Sequence, residues 1–343
     1  MRDRLEIEVD GLSKVFRVRQ RASGLGAVAR GFFRADHREV AAVEDVSFGI
    51  ARGERVAFVG PNGAGKSTTL KMLSGILHPS AGSARVAGLT PWQSRAQLAY
   101  RIGTVFGQRS QLWYHLPASD TFELLAHIYD CDRTAHGRRR DALVEAFDIG
   151  AHLHKPVRQL SLGQRMRCEL VASLLHAPRV LFLDEPTIGL DVSAKAAIRD
   201  LVREESESDG RTIMLTSHDT GDMERVCDRV IVIHEGRLLI DQSLDYLRRS
   251  YIRKKLVNVR SVEAEPSFTL RGVEVVARSP HRAQLEVDTD AVQVEQVLSA
   301  LLKQVRLLDL TVQDPPMEEI VQAIYTRALS NAEPSSTTAS STP

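Results

Sequence analysis

Several features are scarce in this chain of 343 residues, and each scarcity removes a class of function. Only three cysteines are present, Cys131, Cys168 and Cys227, and none has metal-ligand or redox spacing. They are expected to be reduced packing residues. No run approaches the ~18 consecutive apolar residues of a membrane span. The start, Met1-Arg2-Asp3-Arg4-Leu5-Glu6, lacks an apolar leader core. Together these predict a cytoplasmic chain, so any membrane-crossing part belongs to another polypeptide. Charge of one sign is also missing: 45 Lys and Arg face 44 Asp and Glu, a net +1, so no basic field advertises nucleic acid. What remains is ordinary for packed cores, 43% hydrophobic and 26% charged residues, and the length predicts about two domains.

Against that even background stands Gly60-Pro61-Asn62-Gly63-Ala64-Gly65-Lys66-Ser67, of the form G-x-x-x-x-G-K-[ST]. The apolar run Val56-Ala57-Phe58-Val59 before it suits a buried parallel strand, and a helix is expected from Ser67 to about Gly75. Gly60, Gly63 and Gly65 let the backbone turn and approach a ligand. The helix N-terminus then faces phosphates. Lys66 supplies a movable positive charge for the β- and γ-phosphates, and the Ser67 hydroxyl is a hard ligand for Mg²⁺. The expected nucleotide contacts run from Gly60 to Thr68, with Pro61, Asn62 and Ala64 included.

Further on, Val180-Leu181-Phe182-Leu183 reads as a central strand ended by Asp184-Glu185. Strand C-termini line the ligand crevice of such sheets, so Asp184 is expected to join Ser67 at Mg²⁺. Glu185 can polarise an attacking water as general base.

The alternation of strands and helices from Glu6 to Ile240 predicts an α/β unit with a mostly parallel sheet. Residues 17–39 read as a basic, glycine-containing insertion: either a solvated loop or an arm touching lipid headgroups or a membrane partner. Thr121–Tyr129 and Arg138–Phe147 read as helices separated by a polar stretch, Cys131–Gly137, and Ser161 as a helix cap. From about residue 250 to 329 strands and two helices predict a small α+β domain, without a catalytic constellation. Its histidine, His281, is expected at the surface. The Ser/Thr/Ala/Pro-rich residues 330–343 predict a disordered tail.

Leu160-Ser161-Leu162-Gly163-Gln164, upstream of Asp184-Glu185-Pro186 and downstream of the phosphate loop, resembles the signature of ATP-binding cassettes of ABC transporters. The resemblance covers about Leu5 to Ser250. It implies a P-loop NTPase cassette over residues 1–249, with an antiparallel β-region and a helical subdomain at about 109–178, hydrolysing ATP with Mg²⁺. By the same resemblance, Gln108 is the Q-loop glutamine, contacting metal or water, and His218 the switch histidine at the γ-phosphate. Glu185, His218 and Gln108 are thus the expected catalytic group. Asp191 matches the D-loop aspartate. Ser161, Gly163 and Gln164 match the residues that bind the γ-phosphate held by an opposite cassette. Leu162 departs from the usual Leu-Ser-Gly-Gly-Gln, although a helix N-terminus does not demand positive φ there. Phe16 is the candidate to stack on adenine, with a core role as its alternative.

A finer resemblance points to type-2 exporters, the drug- and viologen-resistance group. It rests on Phe106-Gly107-Gln108-Arg109-Ser110-Gln111-Leu112-Trp113 and on Pro315-Pro316-Met317-Glu318-Glu319-Ile320. It implies a homodimer acting with separate transmembrane permease subunits, peripheral on the cytoplasmic face of the membrane. Trp113 and Tyr114 then meet a coupling helix or pack within the helical subdomain. Two alternatives stay open. One is export of polysaccharide or lipid precursors; the other is a non-transport ATPase acting on ribosomes or DNA, against which stand a single phosphate loop and the lack of heptads between Ser67 and Ser161.

Overall fold

The structure is a computed structural model that describes residues 5–19, 37–107, 110–251, 254–264, 270–314, 317–322 and 324. Gln108, residues 20–36 of the expected insertion, and the tail 330–343 lie outside the described residues. The chain divides into two compact units, Met1–Gln242 and Ser243–Pro343.

The first unit is built on a six-stranded sheet. In sheet order its strands are β5 (Ile102–Phe106), β6 (Val180–Asp184), β7 (Thr212–Ser217), β3 (Arg55–Val59), β8 (Arg229–His234) and β9 (Arg237–Ser243). From β5 to β8 every pairing is parallel. Strands covered on both faces are apolar along their length, and β7 is buried at all six positions. The turn to β9 uses Glu235 (φ 47°) and Gly236 (φ 80°), two left-handed residues that suit a tight hairpin.

Register places the chemistry. Val59 pairs with Ser217, Asp184 with Thr216, and Phe106 with Asp184. The C-terminal ends of β3, β5, β6 and β7 therefore meet along one edge. An antiparallel sheet, β2 (His37–Ala51), β1 (Leu5–Arg19) and β4 (Ala81–Val86), joins the same core. Ile7, Val43 and Phe48 pack there with Phe58, Phe182 and Leu70 of α1 (Lys66–Leu73). The short helix α2 (Arg95–Ala99) follows.

The helices α3 (Ala118–Ile128), α4 (Arg133–Ala146) and α5 (Leu162–Leu174) form the helical part. The sequence pattern predicts α4 from Arg138, and the structure starts it at Arg133. Asp132 accepts the Ala135 N–H at 2.8 Å, an N-cap that makes the polar stretch helical. Asp191 caps α6 (Val192–Asp209) in the same way, and Gly210 ends it at φ 62°. The helix α7 (Thr220–Val226) lies between β7 and β8.

The second unit opens with α8 (Leu244–Tyr251). Its antiparallel sheet has the order β11 (Val273–Ser279), β12 (Arg282–Asp288), β10 (Lys254–Ser261), β13 (Leu307–Gln313). Alternating residues Val257, Val259, Leu285 and Val287 form a core with Val297 and Leu301 of α9 (Val294–Gln304). His281 is exposed.

Candidate nucleotide site

A cavity of about 750 Å³ opens at the shared strand edge. Its lining includes Asn62 to Thr68, Lys71, Phe106, Gly107, Asp184, Glu185 and His218, together with Ala42, Ile76 and Ile188. That volume suits a nucleotide-sized ligand.

The phosphate loop is threaded where only glycine fits. A Cβ on Gly65 (φ 103°) would lie 2.4 Å from the Ala42 carbonyl oxygen, and one on Gly60 2.4 Å from that of Ile233. Gly63 has open space but φ 83°. Lys66, 6% exposed, donates to the Gly60 carbonyl at 2.7 Å and the Pro61 carbonyl at 3.2 Å. Its Nζ stands 3.8 Å from Glu185 Oε1. Burial lowers the Lys66 ammonium below its ordinary range, while the charges of Glu185 and Asp184 oppose that fall.

Opposite the lysine, Asp184 Oδ1 accepts from Ser67 Oγ at 2.9 Å and from Thr216 Oγ1 at 2.7 Å. Glu185 sits at φ 53°, a left-handed conformation that costs a non-glycine residue about 1–3 kcal/mol. Its N–H donates to the Thr216 carbonyl at 3.0 Å, and its Oε2 lies 3.2 Å from His218 Nδ1. Gly107 packs on this backbone: its N–H donates to the Asp184 carbonyl at 2.8 Å, and a Cβ there would meet the Glu185 carbonyl at 2.6 Å.

The expected residues therefore fall into two sets. Asn62 to Thr68, Asp184, Glu185 and His218 line the cavity, and Gly60 and Pro61 hold its lysine. Ser161, Gly163, Gln164 and Asp191 lie outside that lining. Phe16 is also outside it: 37% exposed on β1, with Lys14 Nζ 5.3 Å from its ring centre. Thr216, Ala42 and Ile76 were not singled out in the sequence. Only Thr216 carries a signal, a hydroxyl two residues before His218 on the strand beside Asp184.

Residues 43–188 match the family model described as ABC transporter. Over 218 residues the chain is 31% identical to the ABC transporter ATP-binding protein NatA of Bacillus subtilis (strain 168), covering 64% of this chain and 88% of that protein. The chain belongs to the ATP-binding proteins of ABC transporters. It is accordingly an ATP-binding ATPase, and its fold is the α/β cassette expected from the signature. The cassette is also similar to resistance-type subunits of the type-2 exporter-like group. One is the linearmycin resistance ATP-binding protein LnrL of Bacillus subtilis (strain 168), 28% identical over 297 residues, 84% of this chain and 94% of that protein. An alignment of that length extends into the second unit. A solved ATP-binding subunit of an ABC transporter aligns with a TM-score of 0.58 and 27% identity, covering 71% of this chain and 92% of that one.

In the cassette, Leu162 occupies the first turn of α5, after the cap Ser161. It is absent from the positive-φ residues. The non-glycine residue therefore fits without backbone strain, as expected of a helix start. Its side chain approaches Gly189, where a Cβ would lie 3.2 Å from Leu162 Cδ2.

Proposed function

We propose that this chain is the ATP-hydrolysing subunit of an exporter, in which two copies close head to tail around two ATP molecules and drive separate transmembrane subunits. The observation that carries this is the exclusion of the signature from the chain's own cavity. Ser161 is exposed at the N-terminus of α5. Its Oγ accepts the Gln164 N–H at 3.3 Å, and its N–H donates to Gln164 Oε1 at 3.0 Å. That reciprocal cap uses the acceptor side of the hydroxyl and leaves its proton free to donate. Free N–H groups of the first turn and the positive helix end add to it. This is an exposed anion site outside the lining of the cavity that holds Lys66, so a second cassette is its natural source of phosphate.

In this reading Gly60 to Thr68 cradle the phosphates through backbone N–H groups, and Lys66 leaves the Gly60 carbonyl for the β- and γ-phosphates. Glu185, held at its strained φ, accepts a proton from the attacking water. His218 bears on the γ-phosphate and fixes the Glu185 carboxylate through their contact. The donor set fits Mg²⁺: two hard oxygens, Ser67 Oγ and Asp184 Oδ1, already touch, and Thr216 orients the carboxylate. When bound, the ion supplies positive charge to the phosphates and orders water. Gln108 completes the proposed set from outside the described residues.

In this reading the chain is a peripheral subunit on the cytoplasmic face, working through separate permease chains; no described helix is long and apolar enough to cross a membrane. Residues 1–249 act as the cassette in this reading, and the C-terminal domain braces or regulates the dimer. Trp113 and Tyr114, 49% and 53% exposed, are the proposed contacts for the membrane partner. Mixing Lys66→Ala with Ser161→Arg tests the composite site. Each variant alone is inactive, and the mixture, whose hybrid dimers contain one intact site, recovers roughly a quarter of normal turnover. A mixture no better than its components would overturn the shared site.

A further inference from the structure

We propose that Asp222 is a positioning residue for the Glu185–His218 pair, clamping the two segments that carry them and tying both to α6. The proposal rests on the catalytic reading of that pair given above. Glu185 and His218 follow different strands, β6 and β7. Their contact of 3.2 Å joins side chains that are 19% and 55% exposed. A contact this open is worth little by itself, so the placement of the two side chains depends on what holds their segments beneath the surface.

What holds them is a buried carboxylate. Asp222, on α7, is 1% exposed. Its Oδ2 accepts from Thr187 Oγ1 and from Ser217 Oγ, each at 2.6 Å, and its Oδ1 accepts from Arg199 Nε at 2.6 Å. Thr187 comes two residues after Glu185, and Ser217 immediately precedes His218. One side chain therefore fastens both catalytic segments. Charge-assisted hydrogen bonds in a water-free setting are among the stronger polar contacts. Removing the carboxylate leaves a guanidinium and two hydroxyls without their acceptor.

The same cluster reaches α6, the helix that Asp191 caps. Lys195 Nζ pairs with Asp219 Oδ2 at 2.6 Å, and Arg199 Nη2 lies 2.9 Å from Asp219 Oδ1. Asp219 directly follows His218. Burial pushes the Asp219 carboxyl up, but the Lys195 hydrogen bond and the charges of Arg199 and Lys195 outweigh it and hold the group below its ordinary value.

Gly221 supplies an independent observation. It lies within α7, where glycine weakens a helix, and it has no positive φ. A Cβ there would stand 2.8 Å from Arg199 Nη1 and 3.0 Å from its Cζ. The glycine is thus explained by the guanidinium seated on its Cα.

The test is steady-state ATP hydrolysis by the full chain carrying Asp222→Asn or Gly221→Ala, with thermal unfolding measured alongside. Misplacing catalytic groups by about 1 Å can cost on the order of a hundredfold. Asp222→Asn is expected to lower kcat at least about tenfold while KM for ATP stays within about twofold. Gly221→Ala is expected to lower kcat similarly, because its methyl displaces the Arg199 guanidinium, and Tm measured alongside separates lost turnover from lost fold. In a His218→Ala background Asp222→Asn should cost less than in the parent chain, since part of its effect acts through that histidine. In crystal structures of the variants, Glu185 and His218 should stand beyond hydrogen-bond distance of each other. Normal kcat in a folded Asp222→Asn chain, or the same fold-loss with and without His218, overturns the proposal. If Asp222→Asn does not fold, normal kcat in Gly221→Ala overturns it equally. Glu185→Gln is assayed beside them: if it retains turnover, the catalytic reading itself fails, whatever Asp222 does.

Discussion

Around the phosphate loop, polar side chains already touch one another. Lys66 holds the Gly60 carbonyl at 2.7 Å, Ser67 and Thr216 share Asp184 Oδ1, and Glu185 meets His218 at 3.2 Å. Around Ser161–Gln164 the hydrogen bonds are local, a cap closed on itself at the surface. One region is built inward by residues that three strands bring together; the other is a helix end presented outward. The chain thus assembles within itself the groups proposed to bind ATP, whereas those proposed to complete the site await another copy. Substitutions in the two regions should therefore fail in different ways.

The largest separation is expected from Glu185→Gln. Glu185 is the proposed general base, and loss of such a base costs roughly 10²–10⁴ in rate, so phosphate release should fall by that factor while ATP binding, measured by calorimetry, persists. Next comes the same change made in both regions. Gly65→Ala forces a methyl to within 2.4 Å of the Ala42 carbonyl at φ 103°. It should cost more than about 2 kcal/mol at the loop, or over tenfold in ATP affinity. Gly163→Ala meets only the Ala194 methyl at 3.2 Å. It should leave ATP affinity unchanged and weaken the association of the two copies. Equal losses of ATP affinity in the two variants would erase the distinction.

A control belongs to neither region. His176 stacks on Tyr129 at 3.9 Å. Burial depresses its imidazole from 6.5 to about 4, against the Ile102 carbonyl that favours the charged form and alongside Arg139 and Arg211 that disfavour it. The unfolded chain therefore binds the extra proton first as pH falls. His176 supports folding fully above about pH 6.5 and loses that support between about 6.5 and 4, by at most about 3 kcal/mol. Chemical denaturation of His176→Gln should show a flatter acid slope than the parent chain. An unchanged slope would remove His176 as a source of acid sensitivity. The smallest effect is expected from Leu162→Gly, which lowers stability by about 0.5–1 kcal/mol through helix propensity. Because Leu162 lies outside the cavity, nucleotide titration should be unaltered.

Much of this was legible in the chain itself where local chemistry and spacing coincide. Gly60 to Ser67, the apolar strand before Asp184 and the cap at Ser161 each carry their own signal. Less legible were features set by contacts distant in sequence. The polar residues Arg133 to Gly137 read as a loop until Asp132 is recognised as a cap. Thr216 is one threonine in an apolar strand until register sets it beside Asp184. Asp222 reads as an acidic residue at a helix start, which favours the helix dipole anyway. Its burial arises only when β6, β7 and α6 converge on it. Gly221 likewise reads as a helix-weakening residue, and its reason is a guanidinium from another helix.

Centrally, ATP is held to join two copies of this chain. The most direct measurement is the molar mass of Glu185→Gln in solution, by size-exclusion chromatography with light scattering, with and without Mg²⁺ and ATP. A monomer that becomes a dimer only with ATP, and fails to do so when Ser161→Arg is added, is the predicted result. A variant that binds ATP and stays monomeric at every ATP concentration would contradict it.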